Sequence, residues 1–235
     1  MRDGWIVVTG ASRGIGAAIA VDLHRRGARV AALSRSGDAP AGRGFACDVS
    51  DETALAATFA ELAREGSIAG LVNNAGQHVG GPSALFSAAQ FESVMRLNAT
   101  TVFTASQLAY PYLVTSGGGL IVNIGSFFDK LGVAENVAYC ASKAAVGAIS
   151  RCLAVEWARD SIKVLDVAPG YVETDLNREF LASDKTKVWI ARRIPVGRAA
   201  APAEVGRFVG SLFAENSAIL TGETIYLDGG QGMNH

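Results

Sequence analysis

Short apolar runs alternate with longer stretches of helical period along most of the chain. Runs at 5–9, 28–34, 43–46, 68–73, 119–125, 162–168 and 223–227 predict strands. The periods at 14–26, 50–65, 91–115, 137–159 and 202–214 predict helices, the last opening on Pro202-Ala203-Glu204, a favourable first turn. Val30-Ala31-Ala32-Leu33 and Leu120-Ile121-Val122 are apolar at consecutive positions. Strands buried on both faces read this way, and parallel sheets bury both faces. Strand-helix alternation implies right-handed crossovers and an α/β fold: one doubly wound domain over 1–235, a mostly parallel seven-stranded sheet with helices on both faces. The stretch 171–201 breaks the alternation after a strand and carries charges, Trp189 and Pro195. Loops past the carboxyl ends of such strands bind ligands, so this stretch reads as a substrate lid rather than an ordinary surface excursion.

Composition narrows the partners. A formal net charge of −1 gives no reason to expect nucleic acid or an anionic membrane. No apolar run reaches the roughly 18 residues a membrane span needs. Met1 leads directly into Trp5-Ile6-Val7-Val8 without the pattern of a signal peptide, which predicts a cytoplasmic protein. Cys47, Cys140 and Cys152 are irregularly spaced and read as free thiols, and no clustered ligands suggest a metal.

The first strand-to-helix junction is Thr9-Gly10-Ala11-Ser12-Arg13-Gly14-Ile15-Gly16. Glycines at 10, 14 and 16 permit a tight turn and close backbone approach, and the helix that follows offers its positive end to a pyrophosphate. This placement makes a Rossmann-type dinucleotide site the expected reading. About 20 residues on, an acid would bind the ribose diol of NAD, whereas an arginine accepts the 2′-phosphate of NADP. The chain has Ser34 and Arg35 there, with Arg13 in the glycine turn, so NADP (NADPH) is expected over NAD. Asp48, beside Val49, reads either as an acceptor for the adenine amino group or as a cap for the helix near Ser50. Asn73-Asn74-Ala75-Gly76 ends the fourth strand, where asparagines tie strands together or line a cofactor cleft.

Tyr139 and Lys143, four apart, share one helix face, and Ser126 follows the strand ending Val122-Asn123-Ile124-Gly125. A free tyrosine titrates near 10, and bringing it about three units toward neutrality takes about 4 kcal/mol. A lysine cation about 4 Å away supplies that order of energy. Ser126 can donate to a substrate oxygen on which negative charge grows. The pair alone is weak evidence; its conjunction with the strand-end serine and the glycine turn carries the reading.

Taken in order and spacing, these motifs resemble the single-domain short-chain dehydrogenase/reductases. The resemblance rests on T-G-A-S-R-G-I-G at 9–16, D-V at 48–49, N-N-A-G at 73–76, Asn98, I-G-S at 124–126, Tyr139-Cys140-Ala141-Ser142-Lys143, P-G-Y-V-E-T at 169–174 and L-D-G-G at 227–230. It implies a catalytic set of Ser126, Tyr139, Lys143 and Asn98, the last holding a water that links the lysine to solvent. From the residues alone, Asn98 reads as a polar group within a helix. The resemblance also implies that Lys143 bonds the nicotinamide ribose. Asp48 and Val49 then contact adenine, with Asn74, Ala75 and Gly76 beside the cofactor. Pro169, Gly170, Val172 and Thr174 lie near its carboxamide. A homotetramer or homodimer is expected. Many members have an asparagine where this chain has Leu165.

The C-terminal half resembles β-ketoacyl-(acyl carrier protein) reductases, but the arginines that dock the carrier are replaced by Gly117 and Asp160, with Arg159 adjacent. That favours a small, partly apolar carbonyl compound or alcohol. Gln77, His78, Val79, Phe127, Phe128, Tyr171, Leu176, Phe180 and Trp189 are its candidate pocket. The alternatives are a 3-oxoacyl-(acyl carrier protein) reductase and, in another class, a non-catalytic NADP-binding regulator, since fold does not fix function.

Overall fold

The computed structural model describes residues 3–174, 181 and 183–233. The strands are β1 (Trp5–Thr9), β2 (Arg29–Ser34), β3 (Arg43–Ala46), β4 (Ile68–Asn73), β5 (Gly119–Ile124), β6 (Ile162–Pro169) and β7 (Thr224–Leu227). They form one sheet in the order β3-β2-β1-β4-β5-β6-β7. Every pairing is parallel, where the sequence suggested a mostly parallel sheet. The order reverses between β1 and β4, which opens a crevice at their carboxyl ends.

Helices α1 (Gly14–Arg25), α2 (Glu52–Glu65), α3 (Ala88–Met95), α4 (Thr101–Thr115), α5 (Val137–Trp157), α6 (Asp184–Arg193) and α7 (Pro202–Glu215) complete the chain. On one face of the sheet, Ile19 and Leu23 of α1 meet Val205, Val209 and Phe213 of α7 over Ile6, Val8 and Val122. On the other, Leu55 and Phe59 of α2, Leu113 of α4 and Leu153 of α5 pack on Val7, Leu71 and Ile121. Both faces are therefore covered, which is why the central strands carry no polar alternation.

The ends of the helices follow local chemistry. Asp51 caps α2 by accepting from the Ala54 N–H. Ser87 and Gln90 form a capping box that starts α3 before the period at 91. The helix expected over 91–115 is interrupted: Arg96–Thr100 is a π-helical turn, and it holds Asn98. The helix expected to 159 ends at Trp157, followed by a 3-10 turn at Ala158–Asp160. Strand ends fall within a residue of expectation.

A polar row crosses the apolar sheet. Asn73, Asn123, Asp166 and Thr224 are register partners on β4, β5, β6 and β7. Asn73 donates to Asn123 Oδ1 at 2.9 Å and to Ser106 of α4 at 3.1 Å; Asn123 donates to Ser150 of α5 at 2.8 Å. Buried amides must be paired, and these pairs fix α4 and α5 to the sheet one layer below the site. Among the described residues no helix is long and apolar enough to cross a membrane.

Candidate active site

The glycine turn has the conformation its sequence demands. Gly10 and Gly14 have φ of +64° and +58°, where side chains are disfavoured. A Cβ on Gly16 would collide with the Gly10 carbonyl and the Asn74 amide. Arg13 is the N-cap of α1 but makes no capping bond, and the first turn holds no acid. The N–H groups there are left for an anion, with Ser12 and Ile15 half-buried in the turn. Asn74 closes the crevice from β4: its amide donates to the carbonyls of Thr9 and Gly10, while Thr9 Oγ1 accepts from the N–H groups of Asn74 and Ala75. Gly76 lies against Asn98 Oδ1.

At the end of β2, Ser34 is buried and its hydroxyl donates to the Asp38 carbonyl at 3.2 Å. Arg35 and Arg13 are exposed. Asp48 does not cap α2; it accepts from the N–H and hydroxyl of Ser50 at 2.9 and 2.7 Å. Those bonds hold its carboxyl below the usual range, with Arg35 adding a smaller pull. Val49 is buried and, with Ser50, Asp51, Arg96, Thr100 and Thr104, lines a cavity of about 400 Å³. Across the crevice, Gly170 follows Pro169 and packs so closely on Asp228 that a Cβ would lie 2.7 Å from its Cα. Val172 is buried in a bridge to Ala200, and Thr174 faces Gly14. This backbone-lined cradle fits a dinucleotide.

Ser126, Tyr139 and Lys143 are brought together at the carboxyl edge of β5. Ser126 caps the 3-10 turn Phe127–Lys130, its Oγ accepting from the Phe128 N–H at 3.3 Å. Lys143 is buried, and its Nζ donates to the Ile124 carbonyl at 2.7 Å. Burial lowers its pKa to about 8, against the pull of Asp166. Nζ lies 5.7 Å from the centre of the Tyr139 ring. Here the structure corrects the expected electrostatics. Burial pushes the Tyr139 hydroxyl above its ordinary pKa, only partly offset by its hydrogen bond with Ser126. Desolvation dominates, and with its own pKa near 8 Lys143 has lost its charge before a tyrosine this high ionises.

Asn98 joins the group from the π-turn. Its Oδ1 accepts from Gln77 N–H at 2.8 Å, and its Nδ2 donates to the Gln77 carbonyl and to Ser142 Oγ. The side chain thus ties the loop after Gly76 to α5.

Aromatic rings wall the space above Tyr139. His78 and Phe128 meet its ring edge-on at 5.0 and 5.9 Å. Tyr171 touches Phe127 and Phe128, and Trp189 of α6 meets Tyr171 at 5.5 Å. His78 also pairs with Asn136. Leu176 and Phe180 lie outside the described residues. Sequence reasoning missed Asp166 and its neighbours: Tyr226 donates to Asp129 at 2.8 Å, and Lys130 sits over the Tyr226 ring. The one available signal was an acid inside the apolar strand Val164-Leu165-Asp166-Val167-Ala168.

Comparison with known proteins gives the class. Residues 10–232 match a family model described as enoyl-(acyl carrier protein) reductase. The chain is 35% identical to the D-threitol dehydrogenase of Mycolicibacterium smegmatis, over 95% of this chain and 91% of that one. It is 34% identical to the 3-oxoacyl-(acyl carrier protein) reductase MabA of Mycobacterium tuberculosis, over 98% and 93%. A solved structure from Beutenbergia cavernae, assigned as an NAD(P)-dependent gluconate 5-dehydrogenase and holding NADP at low occupancy, superposes with a TM-score of 0.89 at 32% identity, over 97% and 96% of the chains. These matches and the fold define an oxidoreductase acting on CH–OH or C=O groups with a nicotinamide cofactor. The chain belongs to the short-chain dehydrogenase/reductase family.

The glycine cradle yields a direct test. Gly16→Ala places a methyl against the Gly10 carbonyl and the Asn74 amide, so dinucleotide affinity should fall at least about tenfold, near 1.4 kcal/mol. Fluorescence titration with NADPH measures this, with circular dichroism confirming the fold. Unchanged affinity would show that the turn does not contact the dinucleotide.

Proposed function

We propose that the chain is an NADP(H)-dependent oxidoreductase acting on the carbonyl or secondary alcohol of a small, partly apolar substrate, with Tyr139 as general acid and base. The observation that carries this reading is the convergence of Ser126, Tyr139 and the fixed Lys143 ammonium at one strand end, beneath the aromatic wall.

The cofactor supplies the hydride in reduction and takes it in oxidation. Gly10, Ser12, Arg13, Gly14, Ile15 and Gly16 would hold its pyrophosphate, Asp48 and Val49 its adenine, and Asn74, Ala75, Gly76 and Lys143 the ribose side. Pro169, Gly170, Val172 and Thr174 would flank the carboxamide. In reduction Tyr139 gives its hydroxyl proton to the substrate oxygen, to which Ser126 donates a hydrogen bond. Burial keeps the hydroxyl protonated but makes it a weaker acid, so the transfer relies on the nearby lysine cation to stabilise the phenolate left behind. Asn98 positions the loop at Gln77 and the π-turn beside the lysine. Phe127, Phe128, His78 and Tyr171 shape the substrate space. Segment 171–201 acts as the lid, since Trp189 of α6 reaches Tyr171.

NADP is preferred to NAD because β2 ends without an acid. Ser34 is engaged by Asp38, so Arg35 and Arg13 carry the recognition of the 2′-phosphate. The chain acts in the cytoplasm as a homotetramer or homodimer, and association is supported by the exposed apolar side chains of α4 and α5: Phe103 is 43% exposed and Val155 81%. The enzyme class displaces the regulator alternative. The likeness to MabA supports a carrier-linked substrate as second reading. Against it, Gly117 ends α4 in a turn with φ +74°, and Asp160 accepts from Tyr110.

Tyr139→Phe should lower kcat by roughly 10²–10⁴-fold, with NADPH affinity retained, once a ketone and alcohol screen has supplied a substrate. A variant with most of its activity intact would remove Tyr139 from the chemistry. For the cofactor, two charge-assisted bonds of roughly 1.5–3 kcal/mol each, discounted for exposure, give about 2–4 kcal/mol. That corresponds to a kcat/KM preference for NADPH of roughly thirty- to several-hundredfold. Ser34→Asp with Arg35→Leu should reverse it. Equal use of NADH by the unmodified enzyme would place Arg35 in solvent.

A further inference from the structure

Lys143 is buried, and a buried ammonium without an opposite charge tends to lose its proton. Its hydrogen bond to the Ile124 carbonyl satisfies one donor but supplies no countercharge. Among the described residues, Asp166 is the opposite charge that acts on it.

The fold builds a place for that carboxylate. Asp166 is wholly buried in β6, the third member of the polar row whose first two are neutral amides. The Asn123 side-chain oxygen accepts from Asn73 and its amide donates to Ser150, so its bonds go to those neighbours. Thr224 donates to Asp166 Oδ2 at 3.1 Å, and Oδ1 has no hydrogen-bond partner. Two glycines make the room. A Cβ on Gly125 would collide with Oδ1, and one on Gly147 would stand 3.6 Å from Oδ2. Gly125 lies between Ile124, which receives the lysine, and Ser126. Gly147 is one turn beyond Lys143 on α5.

We propose that Asp166 is the positioning residue of this site: a buried counter-ion that keeps Lys143 in its ammonium form at working pH. The inference rests on the catalytic reading of Lys143 given above. It explains an acid buried inside a sheet with few hydrogen-bond donors, since such a charge is tolerated where an opposite charge answers it. Other groups face the pair. Asp129 on the 3-10 turn acts on Asp166, and Asp129, Asp166 and Arg151 of α5 all act on Tyr226 of β7. Burial and Asp129 push Asp166 toward its protonated form, raising its pKa to about 6, while Thr224, Lys143 and the Gly125 backbone N–H oppose the rise. Acidification through that range therefore removes the countercharge, and alkalinity near 8 removes the lysine proton.

The chain has only five lysines, so selective labelling is direct. With lysine labelled at 13Cε, NMR titration follows Lys143, whose signal is the one missing in Lys143→Met. In the wild type it should titrate near 8 and show a smaller inflection near 6 from Asp166. In Asp166→Asn the inflection should vanish and the main titration fall by at least about one unit. The alkaline limb of kcat/KM for reduction should move down with it. A lysine titration unchanged by Asp166→Asn overturns the proposal. If that variant does not fold, Thr224→Val retains the carboxylate but removes its donor. The acid inflection should then rise by about half a unit; its absence from both proteins also overturns the proposal. A shifted titration with an unmoved kinetic profile supports the counter-charge and counts against Lys143 in catalysis.

Discussion

The bond from Lys143 Nζ to the Ile124 carbonyl, 2.7 Å long, holds a helix to the last residue of a strand. That single contact sets where the ammonium sits relative to Tyr139 and Ser126, and much of the surrounding structure serves to keep it there. Burial makes the position stiff, but it also lowers the affinity of the lysine for its proton. The site is therefore a balance between desolvation, which favours neutral groups, and the few charges the fold places within reach.

The sheet supplies the rigidity. Asn73, Asn123 and their serine partners fasten α4 and α5 to β4 and β5 just below the site. Above them, Asn98 fastens the π-turn to the loop at Gln77 and, through Ser142, to α5. The same crevice is bounded on its far side by the glycine turn, held by Thr9 and Asn74. The strand order reverses at this edge, and the rings of Phe127 and Phe128 on the 3-10 turn, Tyr139 on α5, Tyr171 and Trp189 meet beside it.

Much of this was legible in the chain. Consecutive apolar residues in Val30–Leu33 and Leu120–Val122 announce strands covered on both faces, and the structure covers both. The glycines at 10, 14 and 16 could be placed because their conformational need is local. Other features depend on three-dimensional neighbours. One extra residue in a helical turn leaves no periodic trace, so the π-turn at Asn98 was invisible. The row from Asn73 to Thr224 exists only once the strands are in register. The direction in which the Tyr139 pKa moves depends on how deeply its hydroxyl is buried, which spacing along a helix does not reveal. Ser34 looked free for a phosphate until its loop folded back to place Asp38 over it.

If Tyr139 is the proton donor proposed above, its ionisation in the free protein is dominated by desolvation and should respond to further positive charge brought beside it. Tyrosinate absorbance, taken as the difference between the wild type and Tyr139→Phe across pH, reads this ionisation without any substrate. In the free protein Tyr139 should ionise above its ordinary value, as burial requires. Saturation with oxidised NADP, which brings a positively charged nicotinamide ring, should lower that value by at least about one unit. An ordinary tyrosine titration, the same with and without the cofactor, would contradict the account.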